Sequence, residues 1–206
     1  MTIPISSSVR DAANHAAAQI TRANRQMRHR SVLASVTNAP YIAAMFDFQP
    51  SITGDKAAIH ADLLSAATAI VADERDPIAN MANVAALVWQ YLPDLNWAGF
   101  YRAIDDELVL GPFQGKAACI RIAFAAGVCG TAAATRESQL VADVHAFPGH
   151  IACDAASASE LVVPIVHDGR LIGVLDLDSP TPARFDAADA KGCEALAALL
   201  APRLAN

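Results

Sequence analysis

From Asp55 onward, apolar residues recur every three or four positions: Ile59, Leu63, Leu64, Ala67, Ile70 and Val71. That spacing lays a stripe along one side of an α-helix. Asp76 then precedes Pro77 in the order expected of a cap and a first helical turn, and Ile78, Met81, Val84, Leu87 and Val88 carry a second helix to about Leu92, where Pro93 ends it. Beyond this point the period shortens to that of strands. Residues 97–102 (WAGFYR) and 107–113 (ELVLGPF) are short apolar runs joined by an acidic turn at Asp105 and Asp106, which predicts a hairpin. Residues 119–124 suggest a further strand, and residues 127–135 (GVCGTAAAT) a glycine turn entering a short Ala-rich helix.

Residues 143–159 break the pattern. They are polar and irregular, hold His145, His150 and Cys153, and form the kind of long loop that often carries function. Order returns in two apolar runs, 161–166 and 171–177, which flank His167-Asp168-Gly169-Arg170; Asp-Gly between such runs is a strong hairpin signal. Pro164 marks the first run as an edge or bulged strand. The pattern closes with Asp186 as a cap and a helix whose Ala190, Cys193, Leu196, Ala197 and Leu200 share a face, so Cys193 reads as core. Two helices, several antiparallel strands and a last helix make an α+β domain, with an antiparallel sheet and its N- and C-terminal helices packed to one side.

Composition narrows the possibilities. A chain of 206 residues, 54% hydrophobic, suits a single well-filled core. No apolar stretch is long enough to span a bilayer. The net charge is −6, but residues 1–44 hold five Arg and one acid, leaving the remainder at −10. Such a surface repels a phosphate backbone, which argues against nucleic acid as a partner. Residues 1–44 are rich in Ala, Ser and Arg, as in an organelle transit peptide, yet could equally be an N-terminal extension without function. The expected location is the cytoplasm, or an organelle matrix if that segment is a transit peptide. With no export signal, the four cysteines are expected to be reduced.

The chemistry concentrates in the middle and late parts of the chain. Strand alternation puts Asp176 and Asp178 on one face of residues 174–178 (VLDLD) and the leucines on the other. Ile172 and Val174 are expected beside the acids, partly enclosing them. A carboxyl crowded by another acid and by apolar groups holds its proton to higher pH and can donate it near neutrality. Glu160, at the start of a strand seven residues after Cys153, is a third such candidate. Cys119, Cys129 and Cys153 supply a possible nucleophile and resolving partners, with Cys129 placed to gain acidity from a helix N-terminus. The cysteines and histidines also include metal-ligand types, but no paired Cys/His spacing accompanies them, so no metal is expected. Trp97 and Tyr101 share a strand face; Trp97 could pack a small apolar substituent.

Three stretches, GPFQGKAACIRIAFAAGVCGTAAAT, DVHAFPGHIACDAASASELVVPI and GVLDLDSP, closely resemble the free methionine-R-sulfoxide reductases, which are built on a GAF domain. The resemblance covers about residues 55–202. It implies a single GAF domain that reduces free L-methionine (R)-S-oxide, with thioredoxin as external reductant, no other cofactor, and a homodimeric state. It implies Cys153 as the attacking cysteine, Cys119 and Cys129 as resolving cysteines, Glu160, Asp176 and Asp178 around the substrate, and Trp97 against its methyl group. The alternative is a non-catalytic GAF module that binds a small molecule or senses oxidants.

Overall fold

The computed structural model describes residues 55–149, 151 and 154–205; the expectations for residues 1–44, His150 and Cys153 lie outside the described residues. Helices α1 (Lys56–Ile70) and α2 (Pro77–Tyr91) come first. Each begins on an aspartate whose carboxylate accepts a backbone N–H, Asp55 from Ala57 and Asp76 from Ala79. Such caps satisfy donors that the first helical turn leaves open, a contribution of about 1 kcal/mol each. Strands β1 (Trp97–Ile104) and β2 (Glu107–Gly115) follow as the expected hairpin. The third strand is shorter than its apolar run suggests: β3 is only Arg121–Ala123, so Cys119 lies in the loop before it.

Next come α3 (Gly127–Thr135), β4 (Gln139–Val141) and a 3-10 turn at Val144–Ala146. Strands β5 (Ser159–His167) and β6 (Arg170–Ser179) meet at Asp168 and Gly169, whose positive φ values, 49° and 75°, are those of a tight hairpin turn. Helix α4 (Ala187–Leu204) closes the fold behind a reciprocal cap: Asp186 accepts from the Asp189 backbone, and the Asp189 carboxylate accepts from the Asp186 backbone.

The six strands form one antiparallel sheet in the order β3-β2-β1-β6-β5-β4. On one face, Phe100, Leu161, Val163, Leu175 and Leu177 pack against α1, α2 and α4, so the N- and C-terminal helices share a side as predicted. Cys193 is fully buried there, as expected. The short helix α3 covers the opposite face, where Trp97, Tyr101, Leu108, Val162 and Val174 meet Val128, Cys129 and Ala132.

Pro164 sits where β5 extends beyond its last residue paired to the three-residue β4, next to a register shift at Ile165 and Val166. The edge reading of that proline therefore applies, since β4 has ended before it, whereas the bulged strand is its partner β6. The same shift leaves Ile172 without a partner, between Gly173 opposite Ile165 and Leu171 opposite Val166. This bulge changes the alternation, and Ile172 joins the helix-side core instead of lying beside Asp176 and Asp178.

Candidate active site

Strand register assembles the site. Asp178 on β6 lies opposite Trp97 on β1 and opposite Glu160 on β5, so three side chains from three strands line up across one face. One step along, Asp176 faces Gly99 and Val162. Gly99 also faces Phe113, and a Cβ there would lie 2.3 Å from the Phe113 Cβ. The bare backbone lets Phe113 close over it and stack on Trp97, with ring centroids 5.2 Å apart. Trp97 in turn stacks on Tyr101 at 5.7 Å and gives its indole N–H to the Lys116 carbonyl. The result is a rigid aromatic wall beside a row of acids.

A cavity opens over this row. It is lined by Tyr101, Ile122, Gly127, Cys129, Ile151, Asp154, Ser157, Glu160, Asp176 and Asp178. A second recess adjoins it, shares Tyr101, Asp154, Asp176 and Asp178, and adds Trp97 and Lys116. The first turn of α3 forms the roof, and its preceding residue, Ala126, has no side chain to cap the helix. Backbone N–H donors of that turn therefore border the cavity at Gly127 and Val128.

The electrostatics follow from burial and from the closeness of the carboxyls to one another. Burial and then the Asp176 and Asp178 charges push Glu160 well above the ordinary carboxyl range. Burial and Asp178 do the same to Asp176, whose Oδ1 has no hydrogen-bond partner among the described residues. Asp178 rises to about 7 through burial, against the opposing hydrogen bond with Ser157. The site thus stores protons on carboxyl groups near neutral pH.

Cys129 does stand in the first turn of α3, as the sequence suggests, but its thiol is not acidified. It is buried, it donates toward Glu160 Oε1 at 3.9 Å, and burial together with the Asp176 and Glu160 charges pushes its pKa well up. Burial first, and then the surrounding carboxyls, disfavour the thiolate there. Cys119 is half-buried in the β2–β3 loop, packed against the same apolar cluster. Cys119, Cys129 and Cys193 all carry free thiols.

Three metal-ligand types do converge here: Cys129, Glu160 and Asp176 place one ligand atom each within 4.8 Å of one another. His145 does not join them; it is exposed in the 3-10 turn, and the capping there is by the Asp143 carboxylate on its backbone N–H. Of the expected site residues, the fold brings together Cys129, Glu160, Asp176, Asp178 and Trp97.

The sequence reading missed a polar clasp. Lys116 Nζ lies 3.1 Å from Asp154 Oδ2, and the Asn96 amide donates to both Asp154 and Ser157. This ties the loop that carries Cys119 to the residue that follows Cys153 in sequence. Loop residues have no periodicity to expose them; adjacency to Cys153 was the available signal.

Residues 78–205 match the GAF domain family. Over 152 residues, 74% of this chain and 92% of its relative, the sequence is 51% identical to the free methionine-R-sulfoxide reductase of Escherichia coli. The crystal structure of free methionine-R-sulfoxide reductase from Neisseria meningitidis in complex with its substrate is similar at a TM-score of 0.75 and 47% identity, covering 78% of this chain and 96% of that one. The Staphylococcus aureus enzyme in complex with substrate gives a TM-score of 0.68 at 47% identity, covering 71% and 95%. With an α+β sheet carrying its acidic row and cavity on the face away from the long helices, this chain belongs to the GAF-domain family of free methionine-R-sulfoxide reductases.

Proposed function

We propose that this protein reduces free L-methionine (R)-S-oxide to L-methionine, using Cys153 as nucleophile and thioredoxin as the final reductant. The observation that carries the reading is the buried row of Glu160, Asp176 and Asp178, protonated well above the usual carboxyl range beside an aromatic wall. A sulfoxide oxygen needs a proton as it leaves sulfur, and these carboxyls hold one at neutral pH. Once one of them is ionised it can take the substrate's ammonium group, while Trp97 and Tyr101 offer a flat apolar surface to the S-methyl group.

In the proposed cycle the Cys153 thiolate attacks the sulfoxide sulfur and the oxygen accepts a carboxyl proton. Collapse yields methionine and a Cys153 sulfenic acid, so sulfur in the substrate is reduced by two electrons and the cysteine oxidised by two. A second thiol then forms a disulfide and releases water. Cys119 suits that step better than Cys129, because it is half-buried in a loop, whereas burial and the surrounding carboxyls disfavour the Cys129 thiolate. Thioredoxin dithiol restores both cysteines. No resident metal or organic cofactor enters these steps.

The free thiols at Cys119, Cys129 and Cys193 suit a reducing compartment such as the cytoplasm. Among the described residues no helix is long and apolar enough to cross a membrane. A homodimer is the expected assembly, and the acidic balance disfavours nucleic acid. Separate assays with the R and S isomers of free methionine sulfoxide, coupled to thioredoxin, test the reading. Turnover of the R isomer alone, lost in Cys153→Ser, is expected. No turnover of that isomer would replace the enzyme with a ligand-binding GAF module, and full activity in Cys153→Ser would move the nucleophile to another cysteine.

A further inference from the structure

The mechanism above gives Cys129 no chemical step, although it is buried at the centre of the site. Its sulfur lies 3.9 Å from Glu160 Oε1. A ligand atom of Asp176 completes a triangle with no edge longer than 4.8 Å. A tetrahedral zinc ion, with bonds of 2.0 to 2.3 Å, holds its ligands about 3.3–3.8 Å apart. Side-chain shifts of about 1 Å would therefore close this triangle around one ion.

A second observation points into the same space. Asp176 is 5% exposed, its Oδ1 has no hydrogen-bond partner among the described residues, and it lines the cavity. A buried carboxyl oxygen without a hydrogen-bond partner is costly, and a cation that displaces the protons of these groups as it binds relieves it. The donor set also chooses the cation. One thiolate with two carboxylates favours zinc or cadmium over magnesium or calcium, which take oxygen alone. Three protein ligands leave a fourth position for water.

We propose that Cys129, Glu160 and Asp176 form a binding site for a thiophilic divalent cation, Zn2+ above all, and that the bound ion excludes methionine sulfoxide from the cavity. The ion occupies the carboxylate oxygens that the substrate's ammonium and sulfoxide groups would use, so metal and substrate compete. The exclusion rests on the substrate reading given above; the metal site itself does not. Zinc here is a reversible inhibitor and not a cofactor, and it gives Cys129 a purpose outside the redox cycle.

Cobalt reports the site directly, because a cobalt–thiolate bond gives a charge-transfer band. The protein used is the reduced full chain carrying Cys119→Ser and Cys153→Ser, which leaves Cys129 and the core Cys193 as its thiols. One Co2+ per chain with a thiolate band is expected, displaced by Zn2+ and weakened by methionine-R-sulfoxide, which this variant cannot turn over. Adding Cys129→Ser should abolish the band, and Asp176→Asn or Glu160→Gln should each weaken Co2+ binding by about 100-fold. Circular dichroism of each variant confirms folding, and the three variants act on the same site from different strands and from α3. No band, or a band that survives Cys129→Ser, overturns the site. A band undiminished by saturating sulfoxide overturns the exclusion. The reductase reading stands or falls separately, on turnover by chelator-treated parent protein.

Discussion

Asp189 and Asp176 are both buried carboxylates, 1% and 5% exposed, one among the long helices and the other over the cavity. Their surroundings are opposite. Asp189 lies 3.0 Å from His60 Nε2 and 3.2 Å from Arg184 Nη1, and also bonds Lys56 and the Asp186 backbone. Burial alone would raise its pKa, but the hydrogen bonds from His60 and Lys56, the Asp186 N–H and the Arg184 charge hold it well below the usual range. Asp176 meets a thiol and further acids, and its pKa goes the other way. The same residue type at the same depth thus ties α4 to α1 in one place and stores a proton in the other. Whether cations surround it decides which.

The sharpest test exchanges charge for shape. Asp176→Asn removes the proton store and keeps the volume, so kcat/KM for methionine-R-sulfoxide should fall by about 10²–10⁴-fold, as for loss of a general acid. The urea midpoint should stay level or rise, because no partner is stranded. A variant that loses stability along with activity would break the contrast with Asp189. On the other side, Asp189→Ala strands Arg184, Lys56 and His60 and should cost about 3–5 kcal/mol in chemical denaturation. An unchanged midpoint there would mean the cluster contributes little.

A pH series sharpens the comparison further. The Asp178 carboxyl has its pKa raised to about 7 from the ordinary 3.8. For an acid with a raised folded pKa, the folded form binds more protons across that window, so stability falls as pH climbs from about 4 to 7 and stays lost above it. Asp178→Asn should flatten this slope and add about 1–2 kcal/mol at pH 8, with no gain at pH 4. Parallel curves for variant and parent would show that Asp178 titrates normally. The smallest effect concerns the clasp. Lys116 is largely exposed, so Lys116→Ala should change stability by no more than about 0.5 kcal/mol. It should instead slow disulfide closure several-fold, read by thiol counting after a single turnover, while the first equivalent of methionine appears at the parental rate.

Much of this was legible in the chain. Asp76 before Pro77, Asp168-Gly169 between apolar runs, and Asp186 ahead of α4 are local devices, and each formed where the sequence placed it. Cys193 reads as core because helical spacing alone puts it on the buried face. Ile172 was misplaced because a bulge is a property of two paired strands and cannot be seen in one. The buried face of α1 centres on His60, Leu63, Ala66 and Ala67, and His60 escaped notice because its partner Asp189 lies 129 residues away.

The sequence by itself determined the alternation that separates Leu175 and Leu177 from Asp176 and Asp178, the helix caps and the family motifs, since these depend on neighbours within a few residues. Only the tertiary structure decided that Glu160, Asp178 and Trp97 stand in one row, that Asp176 meets further acids while Asp189 meets several cations, and that Cys129 is held as a thiol. Proton affinity depends on burial and on charges across the sheet. Those distances exist only once strands far apart in the chain have paired.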